Sequence, residues 1–159
     1  CFVFAGHGYH ESTLHAAARE LPNIRLVPPQ PRSRALSLFR LADVSIASFI
    51  NRPVLATNAP SKLLDSLAAG TPVIVTNPGW TRRLVEQHDC GWYVPPERPD
   101  ALTRQLEQLF DSPATLKTAS TGAAAVTRDR FDRAEHMDRL AAIVESTACA
   151  ESTARVPST

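Results

Sequence analysis

Ser61, Lys62 and Asp65 follow Pro60 in the stretch Asn58-Ala-Pro-Ser-Lys-Leu-Leu-Asp65, and their types and spacing suit an anion that carries hydroxyl groups. A helix opening at Pro60 and Ser61 leaves its leading N–H groups without intrahelical partners, and these groups form the positive end of the helix dipole. Lys62 in the first turn adds a full positive charge, so a phosphate is the natural guest. Asp65 lies one turn further along, within reach of hydroxyls attached to that phosphate and clear of the phosphate itself. The same residues also admit a purely structural account, in which Ser61 caps the helix, Lys62 is solvated and Asp65 complements the dipole.

Other clusters carry less chemistry. Gly6-His7-Gly8-Tyr9-His10 offers two histidines with His15 nearby, yet no carboxylate or cysteine completes a metal shell beside them. No phosphate loop of the G-x-x-x-x-G-K-[ST] type, no full G-x-G-x-x-G and no D-x-D pair is present, so the expectation is chemistry without a metal or a bound cofactor. Trp80, after Asn77-Pro78-Gly79, either faces a cleft as a platform or packs within the domain. Arg128, Arg130 and Arg133 alternate with Asp129 and Asp132 and read as a solvated helix face.

The elements that would position these residues alternate. Short apolar runs at residues 1–5, 23–27, 44–47, 73–76 and 91–94 read as buried strands. Between and after them lie helical patterns at residues 13–21, at 33–41 and 60–69, and at 81–87, 99–110, 114–127 and 132–145. Ser12 and Ser33 are expected as N-caps, and Gly70 as the residue just past a helix C-terminus. Apolar strands separated by amphipathic helices predict an α/β fold, a Rossmann-like parallel sheet flanked by helices. Such sheets bind ligands beyond the carboxyl ends of their strands, which selects the loops at residues 6–10, 27–32, 48–62 and 77–80.

Composition narrows the class. The chain has 159 residues, 43% hydrophobic and 21% charged, enough for one domain with a sizeable core. Its formal net charge is +1, with basic and acidic residues interleaved, which does not suggest nucleic acid as a partner. Cys1, Cys90 and Cys149 are odd in number and widely spaced, which favours a reducing, cytoplasmic compartment over a disulfide framework. No run of residues has the length and apolarity of a spanning helix or a signal peptide. The opening Cys1-Phe-Val-Phe-Ala5, without an initiator methionine, suggests a piece of a longer protein. Residues 1–145 are expected as the domain, and residues 146–159, rich in Ser, Thr and Ala, as a flexible tail.

The string PSKLLDSLAAGTPVIVTNPG resembles the nucleotide-sugar-binding motif of GT-B glycosyltransferases, in particular the large retaining family-4 type that includes bacterial capsule, O-antigen and exopolysaccharide enzymes. FVFAGHG, NIRLVPP, LFRLADVSIA and HDCGWYVPPERPDALTRQLEQLF follow the landmarks of that family in order, so that the resemblance spans residues 2–110. It implies the C-terminal, donor-binding half of such an enzyme, transferring a sugar from a nucleoside diphosphate sugar to a glycan or lipid-linked acceptor. By the same resemblance Pro60, Ser61 and Lys62 hold the donor diphosphate and Asp65 the ribose hydroxyls. Leu26, Val27 and Pro28 meet the base, and Gly6, Gly8 and Thr57 line the cleft.

Thr57 stands where the family commonly places the first of two acidic residues, which weakens any inference about the donor sugar. The resemblance further implies that a first strand–helix unit, with an Arg and a Lys for the diphosphate, precedes residue 1, and that an N-terminal domain binds the acceptor. Taken alone, the chain would then bind nucleotide weakly and catalyse nothing. No metal is implied, and peripheral contact with the inner face of the membrane is compatible with a lipid-linked acceptor. Two other readings remain at this stage: a nucleotide-sugar 2-epimerase domain, and a non-catalytic nucleotide-binding module.

Overall fold

In the computed structural model, which describes residues 1–153, strands and helices alternate from the first residues onward. Strands β1 (Phe2–Ala5) and β2 (Ile24–Val27) pair in parallel with Phe2 opposite Ile24. Strands β3 (Ser45–Ala47), β4 (Val73–Val75) and β5 (Gly91–Tyr93) form a second parallel group, with Ser45 opposite Val73 and Val73 opposite Gly91. The connections are helices, as parallel strands require: α1 (Glu11–Glu20), α2 (Arg32–Leu41), α3 (Ser61–Ala68) and α4 (Trp80–Gln87). A 3₁₀ turn at Pro53–Thr57 lies between β3 and α3, and α5 (Pro99–Phe110), α6 (Pro113–Arg130) and α7 (Arg133–Thr153) complete the order.

The α/β class and the parallel pairing agree with the sequence reading, but the strands form two groups instead of one continuous sheet. Each group is wound from its own first strand.

The core belongs to the second group. β4 is Val-Ile-Val and wholly buried, so it must be covered on both faces. Val73 and Val75 pack with Leu63 and Leu67 of α3, Val85 of α4 and Val126 of α6. Ile74, on the opposite face, packs with Val94 and Leu109, with Leu102, Leu106 and Leu116 alongside. Burial of each large aliphatic side chain in this layer contributes about 2 kcal/mol. By contrast no residue before Ala47 is buried, and in β1 Phe2, Val3 and Phe4 are 39%, 54% and 41% exposed.

Local details refine the expected elements. Gly70 sits at φ +76 just past α3, as anticipated, and its N–H and that of Thr71 return to Leu67 and Ser66 carbonyls at 3.0 Å. Ser12 and Ser33 are not caps: α1 starts after His10 and α2 after Pro31, neither start carrying a side-chain cap. Pro31 and Pro60 take the cap positions because their fixed φ, −61 and −73, already suits the chain entering a helix. Of the tail expected from residue 146, the part up to Thr153 is helical, as the end of α7. No Pro or Gly interrupts residues 133–153, and Ala148 and Ala150 are strong helix formers. The rest of that expected tail, residues 154–159, lies outside the described residues.

Cys90 is fully buried beneath α4, and burial pushes its thiol up from 9.0 to about 11. The folded state thus holds this proton more tightly than the unfolded chain. The associated stability is intact below about pH 9 and is lost as the pH rises toward about 11. Urea unfolding measured across that window should show the loss, and Cys90→Ala should flatten it.

Candidate functional site

The residues singled out from the sequence fall at the carboxyl ends of β1 and β2 and, after β3, on the 3₁₀ turn and the start of α3. Gly6 ends β1 at φ +130, and its N–H donates to the Val27 carbonyl at 3.0 Å, joining the glycine turn to the end of β2. Gly8 opens the turn into α1, its carbonyl accepting from Glu11 N–H at 3.1 Å. Leu26 and Val27 are half-buried and Pro28 is exposed, its carbonyl accepting from Gln30 Nε2 at 2.8 Å.

After β3 the chain crosses the 3₁₀ turn and enters α3. Leu63 and Leu64 N–H turn back to the Pro60 carbonyl at 3.0 and 3.4 Å. Ser61 and Lys62 N–H have no backbone acceptor among the described residues, and no side chain caps the helix. These two N–H groups are what a bound anion would meet. Pro60 is buried and Lys62 exposed, its Nζ lying 5.7 Å from the centroid of the Phe49 ring. Asp65, one turn further, is 24% exposed and receives Arg32 Nη2 on Oδ1 at 2.9 Å. That ion pair brings the β2–α2 loop against α3. Thr57 stays local, its hydroxyl donating to the Val54 carbonyl at 3.2 Å. No hydrogen bond among the described residues ties the Gly6–Gly8 turn to α3.

The segment leading into α3 is fastened by the turn after β4. Thr76 Oγ1 accepts from Phe49 N–H at 2.7 Å and donates to the Phe49 carbonyl at 3.0 Å. Asn77 is buried; its amide donates to the Leu55 carbonyl and its Oδ1 accepts from Gly79 N–H at 3.1 Å. A Cβ at Gly79 would lie 1.9 Å from the Ala56 carbonyl oxygen, so only glycine lets the two loops touch. Trp80 Nε1 donates to the Asn58 carbonyl at 3.0 Å, and its ring packs against the core. The platform role weighed for Trp80 thus gives way to bracing.

Sequence reasoning missed Arg32, Phe49 and Thr76, and read Asn77 only as a turn residue. Asn77-Pro-Gly was the available signal, an Asx turn that places a side-chain amide inward. An open cavity of about 250 Å³ adjoins this region, lined by Ser48, Phe49, Thr76, Val94, Pro95 and Leu102 among others. A cavity of about 350 Å³ lined by Arg40, Asp43, Thr71 and Lys117 lies at the opposite, amino ends of β3 and β4, away from the ligand-binding edge.

A domain of parallel strands joined by helices, with a lysine at the start of the helix that follows β3, is of the α/β class whose ligands bind beyond the carboxyl ends of the strands. Residues 1–126 match the family model described as glycosyl transferases group 1, and the chain belongs to that family. It is 30% identical over 100 residues to the D-inositol 3-phosphate glycosyltransferase of Thermobispora bispora, covering 63% of this chain and 22% of that protein. Over 142 residues it is 30% identical to a Bacillus subtilis protein described as a glycosyltransferase, EpsD, covering 89% of this chain and 36% of that one. The chain therefore spans about a fifth to a third of the length of these relatives.

Among solved structures, Anabaena Alr3699/HepE in complex with UDP-glucose superposes with a TM-score of 0.73 at 16% identity, over 91% of this chain and 40% of that one. The C-terminal domain of the glycosyl transferase group 1 protein LpcC from Francisella tularensis superposes at 0.54 and 11% identity, over 82% and 85% of the two chains. At these identities the likeness is one of fold.

Proposed function

We propose that the chain is the donor-binding domain of a glycosyltransferase that moves a sugar from a nucleoside diphosphate sugar to a glycan or lipid-linked acceptor. The observation that carries this reading is the start of α3, where Ser61 and Lys62 N–H lack acceptors beside the Lys62 ammonium, with Asp65 one turn on. In the transfer, the bond between the anomeric carbon and the leaving phosphate oxygen breaks with its electron pair going to that oxygen. The acceptor hydroxyl oxygen takes its place on carbon and gives up its proton. Negative charge grows on the diphosphate, and Pro60, Ser61 and Lys62 present the helix end and ammonium to it.

Asp65 takes the ribose hydroxyls, Leu26 to Pro28 the base edge, and Gly6, Gly8 and Thr57 the wall of the cleft. These cationic groups supply the leaving-group stabilisation, so the reading requires no metal. It also places the chain beside further polypeptide. β1 and β3 each have an unpaired edge, and the exposed Phe2, Val3 and Phe4 are apolar on both faces. A preceding strand–helix unit would cover them, with an N-terminal acceptor-binding domain completing the cleft and contact with the inner membrane face serving a lipid-linked acceptor.

The experiment is titration calorimetry of the full-length protein with UDP, GDP and their sugar conjugates, with and without magnesium. One base should bind without metal, and Asp65→Ala should weaken it about tenfold through lost hydrogen bonds to the ribose. Magnesium-dependent binding, or binding indifferent to Asp65, would overturn the assignment.

A further inference from the structure

Arg32 opens α2 with a side chain 81% exposed, and its guanidinium nevertheless reaches Asp65 Oδ1 at 2.9 Å, a residue 33 positions away. An exposed pair of this kind contributes little to folding. Its position gives it another effect. Asp65 stands one turn from Lys62 on the helix that would receive a diphosphate, and a carboxylate takes a ligand hydroxyl only when it is held in one orientation. Arg32 holds it from a stiff base, because Pro28, Pro29 and Pro31 restrict the loop that delivers it. The contact on Oδ1 fixes how the carboxylate sits on α3.

We infer that Arg32 is a positioning residue for the nucleotide: it holds the Asp65 carboxylate in the orientation that meets the ribose hydroxyls. The inference rests on the reading of α3 as the nucleotide site. It makes Arg32 act through Asp65, which separates it from an arginine that grips phosphate directly.

The test is a double-mutant cycle in the full-length protein with Arg32→Ala, Asp65→Asn and both together. The probes are UDP, GDP and ADP, followed by calorimetry, and the nucleoside of whichever diphosphate binds, followed by saturation-transfer NMR. Arg32→Ala should weaken nucleoside and diphosphate alike, each about fivefold, because the ribose is common to both. In the Asp65→Asn background, removal of Arg32 should change either affinity less than about twofold, because no carboxylate remains to be oriented. Arg32→Lys should recover part of the loss, its ammonium keeping the charge without the planar fork. A loss that persists undiminished in Asp65→Asn, or one confined to the diphosphate, would overturn the inference. Failure of the folded, unsubstituted protein to bind any of the three diphosphates would instead defeat the reading of the site itself, and the inference with it.

Discussion

On the proposed reading of α3 as the donor site, Lys62→Ala should lower the rate of sugar transfer by the full-length protein about 100-fold, with KM for the nucleotide sugar changing only a few-fold. The asymmetry follows from where charge appears. The ground-state diphosphate already carries negative charge, but the leaving oxygen acquires more as the glycosidic bond breaks, and a cation aimed at it binds the transition state better than the substrate. Lys62 is exposed and makes no hydrogen bond or ion pair among the described residues, its one aromatic contact being Phe49. Its removal should therefore leave stability within about 0.5 kcal/mol. Lys62→Arg should retain part of the rate, since charge persists while the geometry of the contact changes. Donor kinetics at saturating acceptor separate these outcomes, and an unaltered kcat in Lys62→Ala would remove this residue from the leaving-group site.

Gly79→Ala is expected to damage both folding and binding. Its Cβ would sit 1.9 Å from the Ala56 carbonyl oxygen and 2.8 Å from the carbonyl carbon, and backbone cannot swing aside as a side chain can. The 3₁₀ turn must move, at a cost of about 3 kcal/mol, which corresponds to a melting temperature lower by about 10 °C for a domain of this size. The same movement pulls on the Asn77–Leu55 and Trp80–Asn58 bonds, so the entry to α3 shifts with it. Nucleotide affinity should fall several-fold along with the melting temperature. Gly8→Ala provides the contrast for folding, because nothing lies within 4 Å of a Cβ there and the melting temperature should hold. Thermal unfolding of the two variants side by side tests the claim that the β4–α4 turn holds the site loop.

The start of α3, proposed here as the anion site, was legible in the sequence because its parts are local. Pro60 caps a single helix on whose opening residues Ser61, Lys62 and Asp65 lie, and helix geometry alone sets their spacing. The closing Gly70 and the all-apolar Val73-Ile-Val75 are also local signals, one for a left-handed residue and one for a strand covered on both faces. Helix ends were less legible. Ser12 and Ser33 have good capping chemistry, but the chain enters those helices at His10 and at Pro31, where backbone angles and not side-chain propensity decide the first turn. The extent of α7 was underestimated because Ser and Thr in its second half are weak helix formers that nothing nearby forbids.

Residue types and their periodicity determined the α/β class, the parallel winding, the family resemblance and the helix whose first turn carries Ser61 and Lys62. Tertiary structure decided the rest. Arg32 meets Asp65 across 33 residues and Asn77 meets Leu55 across 22, and no local propensity encodes contacts at such separation. The same holds for the requirement of glycine at Gly79, which arises only because the Ala56 backbone passes there. The division of the strands into two groups, with every residue before Ala47 unburied, likewise depends on which edges find partners. Local sequence sets the conformation of each element, whereas these contacts depend on how the elements pack, and packing is a property of the whole chain.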